Sequence, residues 1–318
     1  MKMDLANKIR SSMLGAILGD AMGVPIEYTS RHENSLCSVK NLLGYGRFDH
    51  PVGTWSDDSS IILCTTESLC SGYDLNHLAE TYCKWLFEGY WTALGYVFDA
   101  GLTTCLALDR LHSEGSVSCC GCDSDDDNGN GSLMRMLPAA IFFHNENLDD
   151  FMKKIHDISS LTHSHPRTLI GCGLYSLLVL ELINNNNKEE ALRSAVSKTL
   201  EYYNRFDQFK NELCHYMRIF SLELLSLNEN EIHSSGYIVE TLEAAIWCFI
   251  KNDSTYQILH SATNLGLETD TTGTVAGGLA GLVYNLDDVP QEIIQSLARK
   301  REIENLIRKF SEIVISNA

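Results

Sequence analysis

The stretch Gly15-Ala16-Ile17-Leu18-Gly19-Asp20-Ala21-Met22-Gly23 puts a glycine at every fourth position of an apolar run. Residues four apart share one face of a helix. A glycine inside a helix costs about 1 kcal/mol relative to alanine, so three in register need a reason. Close crossing with a second helix supplies one, because small residues let two backbones approach. Near the other end of the chain Gly273, Gly277 and Gly281 repeat the spacing. A crossing of the two runs would bring Asp20 and Glu27 near the polar residues Glu268 to Thr271 that lead into the second run.

Outward from these runs the helical period continues. Apolar residues recur three or four apart over Leu5 to Met22, Ser59 to Cys70, Leu75 to Phe87, Leu133 to Phe143, Thr168 to Ile183, Glu189 to Tyr203, Gln208 to Leu227, Tyr237 to Ile250 and Gln291 to Ile315. Few segments alternate with period two, and Pro166 and Pro290 stand where helices would begin. The pattern predicts an all-α chain. Asn184 to Asn187 and the Gly/Asp/Asn-rich loop Cys119 to Gly131 are short, and helical pattern resumes on both sides, so residues 1–318 read as a single domain. No internal repeat of fixed period is visible.

Bulk properties narrow the partners. The chain carries 24 basic and 42 acidic residues, a net charge of −18, which argues against a grip on bare phosphate backbone. Eleven cysteines over 318 residues lack a regular spacing and read as reduced thiols. The cluster Cys119-Cys120-Gly121-Cys122 has no second Cys/His pair at zinc-finger distance. Met1 to Arg10 is polar and the apolar stretch after it contains Asp20, so a secretory signal is not expected. Nor is a membrane span, and the expected compartment is a reducing one, the cytoplasm or another cell's cytosol.

Two short acidic runs carry the chemistry. Ser56-Asp57-Asp58 directly precedes an apolar helix, and Glu268-Thr269-Asp270-Thr271 precedes the second glycine run. Each is a plausible helix cap, since free N–H groups and the helix dipole favour hydroxyls and carboxylates there. Each is also half of an oxygen shell for a hard divalent ion, which one short cluster rarely completes alone. Asp127-Asn128-Gly129-Asn130-Gly131-Ser132 enters a predicted helix and could offer successive N–H groups to a diphosphate, although Asn-Gly pairs also mean plain turns. The run is not a calcium loop, because Asn128 and Met134 occupy the positions that need Gly and Glu. His163, in Leu161-Thr162-His163-Ser164-His165-Pro166, stands before a long apolar helix, where it could contact a ligand or simply sit in a capping loop.

Taken in order, Gly15 to Glu27, Trp55-Ser56-Asp57-Asp58-Ser59, Gly129-Asn130-Gly131-Ser132-Leu133-Met134-Arg135, Thr162-His163 and Glu268-Thr269-Asp270-Thr271 resemble the ADP-ribosylglycohydrolase family. The resemblance runs from about residue 10 to 285. It implies a compact multi-helix orthogonal bundle that hydrolyses the bond between ADP-ribose and a protein side chain, most plausibly arginine. By resemblance the metal ligands are Ser56, Asp57, Asp58, Glu268, Asp270 and Thr271, holding two divalent cations, Mg²⁺ or Mn²⁺. Ser56 stands where Thr is common, and Glu268 where the family normally has Asp. Glu27 matches a glutamate on a loop over the metals, and Asp57, Asp58 or Asp127 would handle the proton. Gly129, Asn130, Gly131, Ser132 and His163 would hold the ADP-ribose, with Met134 and Arg135 packing and capping. The implied partners are a mono-ADP-ribosylated protein and ADP-ribose, with no nucleic acid, and the chain itself is expected to be a monomer. A serine-linked or free ADP-ribose substrate, a catalytically dead ADP-ribose binder and a metallophosphatase remain as alternatives.

Overall fold

Asp4 starts the first helix, Leu5–Gly23, by accepting from the backbone N–H of Asn7 at 2.8 Å. In the computed structural model, which describes residues 4–36, 44–117 and 120–317, every residue of this helix from Ser11 onward is buried. Burial on all sides marks a core helix rather than an amphipathic surface one. Its partner is Thr269–Val283, buried from Thr269 to Leu282. The glycines face one another across the crossing: a Cβ on Gly19 would lie 2.0 Å from Gly273 O, and one on Gly15 would lie 2.5 Å from Gly277 O. Backbone against backbone leaves room for hydrogen alone, which explains the spacing read from the sequence.

Around this pair pack the helices Asp57–Leu69, Leu75–Glu88, Met136–Phe142, Pro166–Asn184, Lys188–Tyr203, Ile238–Lys251 and Lys300–Ser316. Among the described residues there is no strand. The two isolated β-bridges, Cys122 with His163 and Gly129 with Tyr237, pin loops instead. Although no membrane span was expected, Pro166–Asn184 reaches by length and composition what a bilayer crossing requires. Its Ile170, Leu174, Leu177 and Leu178 are fully buried in the bundle, and Lys8 Nζ donates to Leu182 O at 2.6 Å at its C-terminal end.

The helical period was misleading in two places. Gln208 to Leu227 is not one helix but short pieces, Asp207–Lys210, Glu212–Tyr216, Met217–Phe220 and Glu223–Ser226, interrupted by Leu222 at φ +60°. Apolar residues three apart serve 3₁₀ turns as well as α-turns. Gln291 to Ile315 divides into Gln291–Ser296 and Lys300–Ser316, because Ala298 N donates to Gly53 O at 3.0 Å and Arg299 sits at φ +53°. Leu133 to Phe143 begins as a 3₁₀ turn, Leu133–Arg135, before the α-helix. Arg31–Leu36, Leu102–Glu114, Leu148–Ser159 and Thr255–Asn264 are helices not foreseen. Nine described cysteines are free, and Cys119 lies outside the described residues.

Candidate metal and ADP-ribose site

Asp20 emerges from the glycine helix against the start of Asp57–Leu69. Its carboxylate accepts from Ser56 N at 2.9 and 3.1 Å, from Ser59 N at 2.9 Å and from Ser59 Oγ at 2.5 Å. An acid on one helix thus satisfies the open N–H groups of another. Burial pushes its pKa up to about 6, against the pull of those serine hydrogen bonds. Ser56 is a true cap, accepting from Asp58 N at 3.3 Å, and this leaves the side chains of Asp57 and Asp58 free to face inward.

The second acidic run meets them there. Asp270 lies in the first turn of Thr269–Val283, and Thr271 Oγ1 donates to Asp58 Oδ2 at 3.1 Å. Asp20, Asp58 and Asp270 each offer an oxygen within 4.8 Å of the others, and so do Glu27, Glu268 and Asp270. Asp270 is common to both groups. Asp57 belongs to neither but lines the adjoining pocket. Glu268 is held by Asn130 Nδ2 at 3.4 Å.

Such crowding is costly. Burial first, then Asp99 and Asp270, pushes Asp57 well above the usual carboxylate range. Burial, then Asp270 and Asp20, does the same to Asp58, and burial, then Asp20 and Asp99, to Asp270. Glu27 is pushed up to about 12 by burial, Asp270 and Asp99. Asp58 Oδ1 and Glu27 Oε2 are buried without a hydrogen-bond partner. Carboxylates bunched in this way need protons or cations. The donor set is all oxygen, with two unpartnered atoms aimed inward, and it fits hard divalent ions.

A cavity of about 320 Å³ adjoins the cluster, lined by Glu27, Tyr28, Asp57 and Asp99 on the acidic side. Gly129, Asn130, Gly131, Met134 and His163 line it as well, together with residues 100–104, Glu268 and Thr271. Asn130 N donates to Gly236 O at 2.9 Å, so the loop is set by the segment before Ile238–Lys251. Two expected site residues stand aside. Ser132 is fully buried and its Oγ accepts from Ser159 Oγ at 2.9 Å, away from the cavity lining. Asp127 is outside the lining too, and Ser124 Oγ and N occupy its Oδ2 at 2.6 and 3.1 Å. The Ser124 hydrogen bond holds its carboxyl below the usual range, which suits a capping box rather than a proton donor.

Sequence reading missed Tyr28 and Asp99. Both are non-glycine residues at positive φ, +58° and +54°, and Tyr28 Oη donates to Asp99 Oδ1 at 3.4 Å. Strained backbone beside a site is a structural signal that no residue pattern announces.

With this geometry in view, a family model described as ADP-ribosylglycohydrolase matches residues 1–317. The chain belongs to the ADP-ribosylglycohydrolase family. ADP-ribosylarginine hydrolase Tri1 of Serratia proteamaculans (strain 568) is 28% identical over 306 residues, covering 96% of this chain and 79% of the relative. The ADP-ribosyl-[dinitrogen reductase] glycohydrolase of Rhodospirillum rubrum is 27% identical over 313 residues, covering 96% of this chain and 95% of that protein. A solved structure described as an ADP-ribosylglycohydrolase-related protein complex superposes with a TM-score of 0.80 at 26% identity, covering 98% of this chain and 99% of that one. The all-α fold is therefore that of the ADP-ribosylglycohydrolases.

Proposed function

We propose that this ADP-ribosylglycohydrolase is a single-domain enzyme that removes ADP-ribose from protein side chains by cleaving the N-glycosidic bond to arginine. The observation that carries the reading is the junction of a buried carboxylate cluster, with unpartnered oxygens on Asp58 and Glu27, and a cavity walled by Gly129, Asn130, Gly131 and His163. Ser56, Asp57, Asp58, Glu268, Asp270 and Thr271, with Glu27 and Asp20 beside them, would hold two divalent cations, Mg²⁺ or Mn²⁺. Bound there, the cations would polarise the sugar hydroxyls and acidify water.

The remaining work falls to the protein. Gly129 and Gly131 let the loop backbone approach the diphosphate, while the neutral His163 ring adds a contact. Cleavage at the anomeric carbon builds positive charge on the sugar, which the carboxylates of Asp57 and Glu27 would stabilise; as water bonds to that carbon and the bond to the guanidine nitrogen breaks, one of them would take the water's proton and the departing guanidine would receive it. Asp99 would pair with the guanidinium leaving group, an assignment its place in the cavity lining supports. The eleven cysteines lack the regular spacing of a disulfide framework, which favours a reducing compartment such as the cytoplasm.

The test is release of ADP-ribose from arginine-modified and serine-modified proteins, with Mn²⁺, with Mg²⁺ and after chelation. Metal-dependent release from the arginine substrate, lost in Asp57→Ala, is expected. A wild-type chain that binds no metal and releases nothing would leave only an ADP-ribose binder.

A further inference from the structure

Arg135 is fully buried, three residues beyond the expected diphosphate loop, and its guanidinium holds that loop to the His163 turn. Nη1 donates to Gly131 O at 2.9 Å. Nη2 reaches Ile158 O at 3.1 Å, Ser159 O at 3.2 Å and Thr162 Oγ1 at 2.8 Å. The Tyr82 ring lies 5.1 Å from its carbon. A guanidinium has donors only, so Thr162 Oγ1 must accept from it.

The same hydroxyl lies 2.7 Å from His163 Nδ1. Thr162 is fully buried, and its own O–H hydrogen needs an acceptor. Donation to Nδ1 satisfies both the Thr162 hydroxyl and that ring nitrogen, and leaves Arg135 Nε as the guanidinium's one buried nitrogen without a partner. The other tautomer, with hydrogen on Nδ1, would give Thr162 two donors and strand its hydroxyl hydrogen, which disfavours it by on the order of tenfold or more.

We propose that Arg135 and Thr162 act as a relay that locks His163 in its Nε2–H tautomer, presenting one fixed neutral donor to an anionic oxygen of the substrate diphosphate. Arg135 is in this sense a positioning residue, beyond the packing and capping expected of it. Nε2 has no hydrogen-bond partner among the described residues and belongs to a ring that lines the cavity. A Cβ on Gly129 would come within 3.6 Å of it, and one on Gly131 within 3.0 Å of Cε1, so the two glycines keep that edge of the ring clear. Burial, then the Arg135 charge, holds the imidazole pKa down at about 3, with Asp127 opposing, which keeps the donor uncharged. One cation thereby fixes both the loop carbonyl and the histidine proton.

The identity of the acceptor rests on the ADP-ribose reading; the tautomer does not. The experiment is ¹⁵N NMR of histidine-labelled protein at neutral pH, with His163→Asn to assign the signal, and calorimetric titration of ADP-ribose. Wild type and Thr162→Ser are expected to show an unprotonated Nδ1 and a protonated Nε2. Thr162→Val is expected to show mixed tautomers and about tenfold weaker ADP-ribose binding, the effect of one displaced hydrogen bond. A protonated Nδ1 or an imidazolium in wild type overturns the relay, whether or not Thr162→Val folds. So does a Thr162→Val spectrum identical to wild type. Wild type with the expected tautomer and no ADP-ribose binding would overturn the substrate reading while supporting the relay.

Discussion

Thr271 Oγ1 donates to Asp58 Oδ2 across a sequence separation of 213 residues, tying together the first turns of two helices. The bond leaves Asp58 Oδ1 buried and open. Thr271 therefore orients the carboxylate that the cation cluster would use. Replacing Thr271 with Val keeps the shape and removes the donor, so folding is expected to persist while Mn²⁺ affinity falls about tenfold or more. Thr271→Ser is expected to retain it. Metal titration followed by calorimetry checks both.

Glu268 offers an oxygen within 4.8 Å of those of Glu27 and Asp270, through one more methylene than the aspartate expected there by resemblance, and Asn130 steadies it. Glu268→Ala is expected to lower the bound metal from two equivalents to one, read by elemental analysis of the dialysed protein. An unchanged stoichiometry would remove Glu268 from the ligand set.

The carboxylates make a pH prediction. Asp57, Asp58, Asp270 and Glu27 have pKa values raised in the folded state, so the fold binds more protons than the unfolded chain and loses stability as pH rises. His156 and His163 act in the opposite sense, since burial holds them down to about 4 and about 3, but only below the ordinary histidine range near pH 6.5. Between about pH 7 and 9 the carboxylates act without them. The chelated protein is expected to melt lower at pH 9 than at pH 7, and saturating Mn²⁺ to flatten the difference.

Asp127 and Asp57 should separate cleanly. Asp127 is not in the cavity lining and is engaged by Ser124 and by Thr103, which is, whereas Asp57 lines the cavity itself. Asp127→Asn is expected to keep its turnover within a few-fold, and Asp57→Asn to lose it, in the ADP-ribose release assay. Equal loss in both would return Asp127 to the chemistry.

Gly19→Ala tests the helix crossing. The new methyl would meet Gly273 O, a backbone atom that cannot rotate away, and about 3 kcal/mol of destabilisation or failure to fold is expected. Gly101, where a Cβ meets only Thr104 Oγ1 at 3.9 Å, should tolerate Ala in the same thermal melt.

Helical period and glycine spacing carried the architecture, because burying a 3.6-residue stripe and closing two backbones both write themselves into local pattern. The same period could not tell a continuous helix from the 3₁₀ pieces between Asp207 and Ser226, where Leu222 breaks the run. The acidic runs at Ser56 to Asp58 and Glu268 to Thr271 were legible for a similar reason, since each is a compact local motif.

By itself, then, the sequence determined that the chain is helical, that two glycine faces must meet, and that two acid-hydroxyl runs and one glycine-rich loop belong to a single family pattern. Tertiary structure alone decided which side chains face the cavity. It turned Ser132 and Asp127 aside, brought in Tyr28 and Asp99 from loops with positive φ, and set Arg135 behind His163. The physical reason is that burial, hydrogen-bond partnership and side-chain direction are properties of neighbours distant in the chain, and no local spacing encodes them.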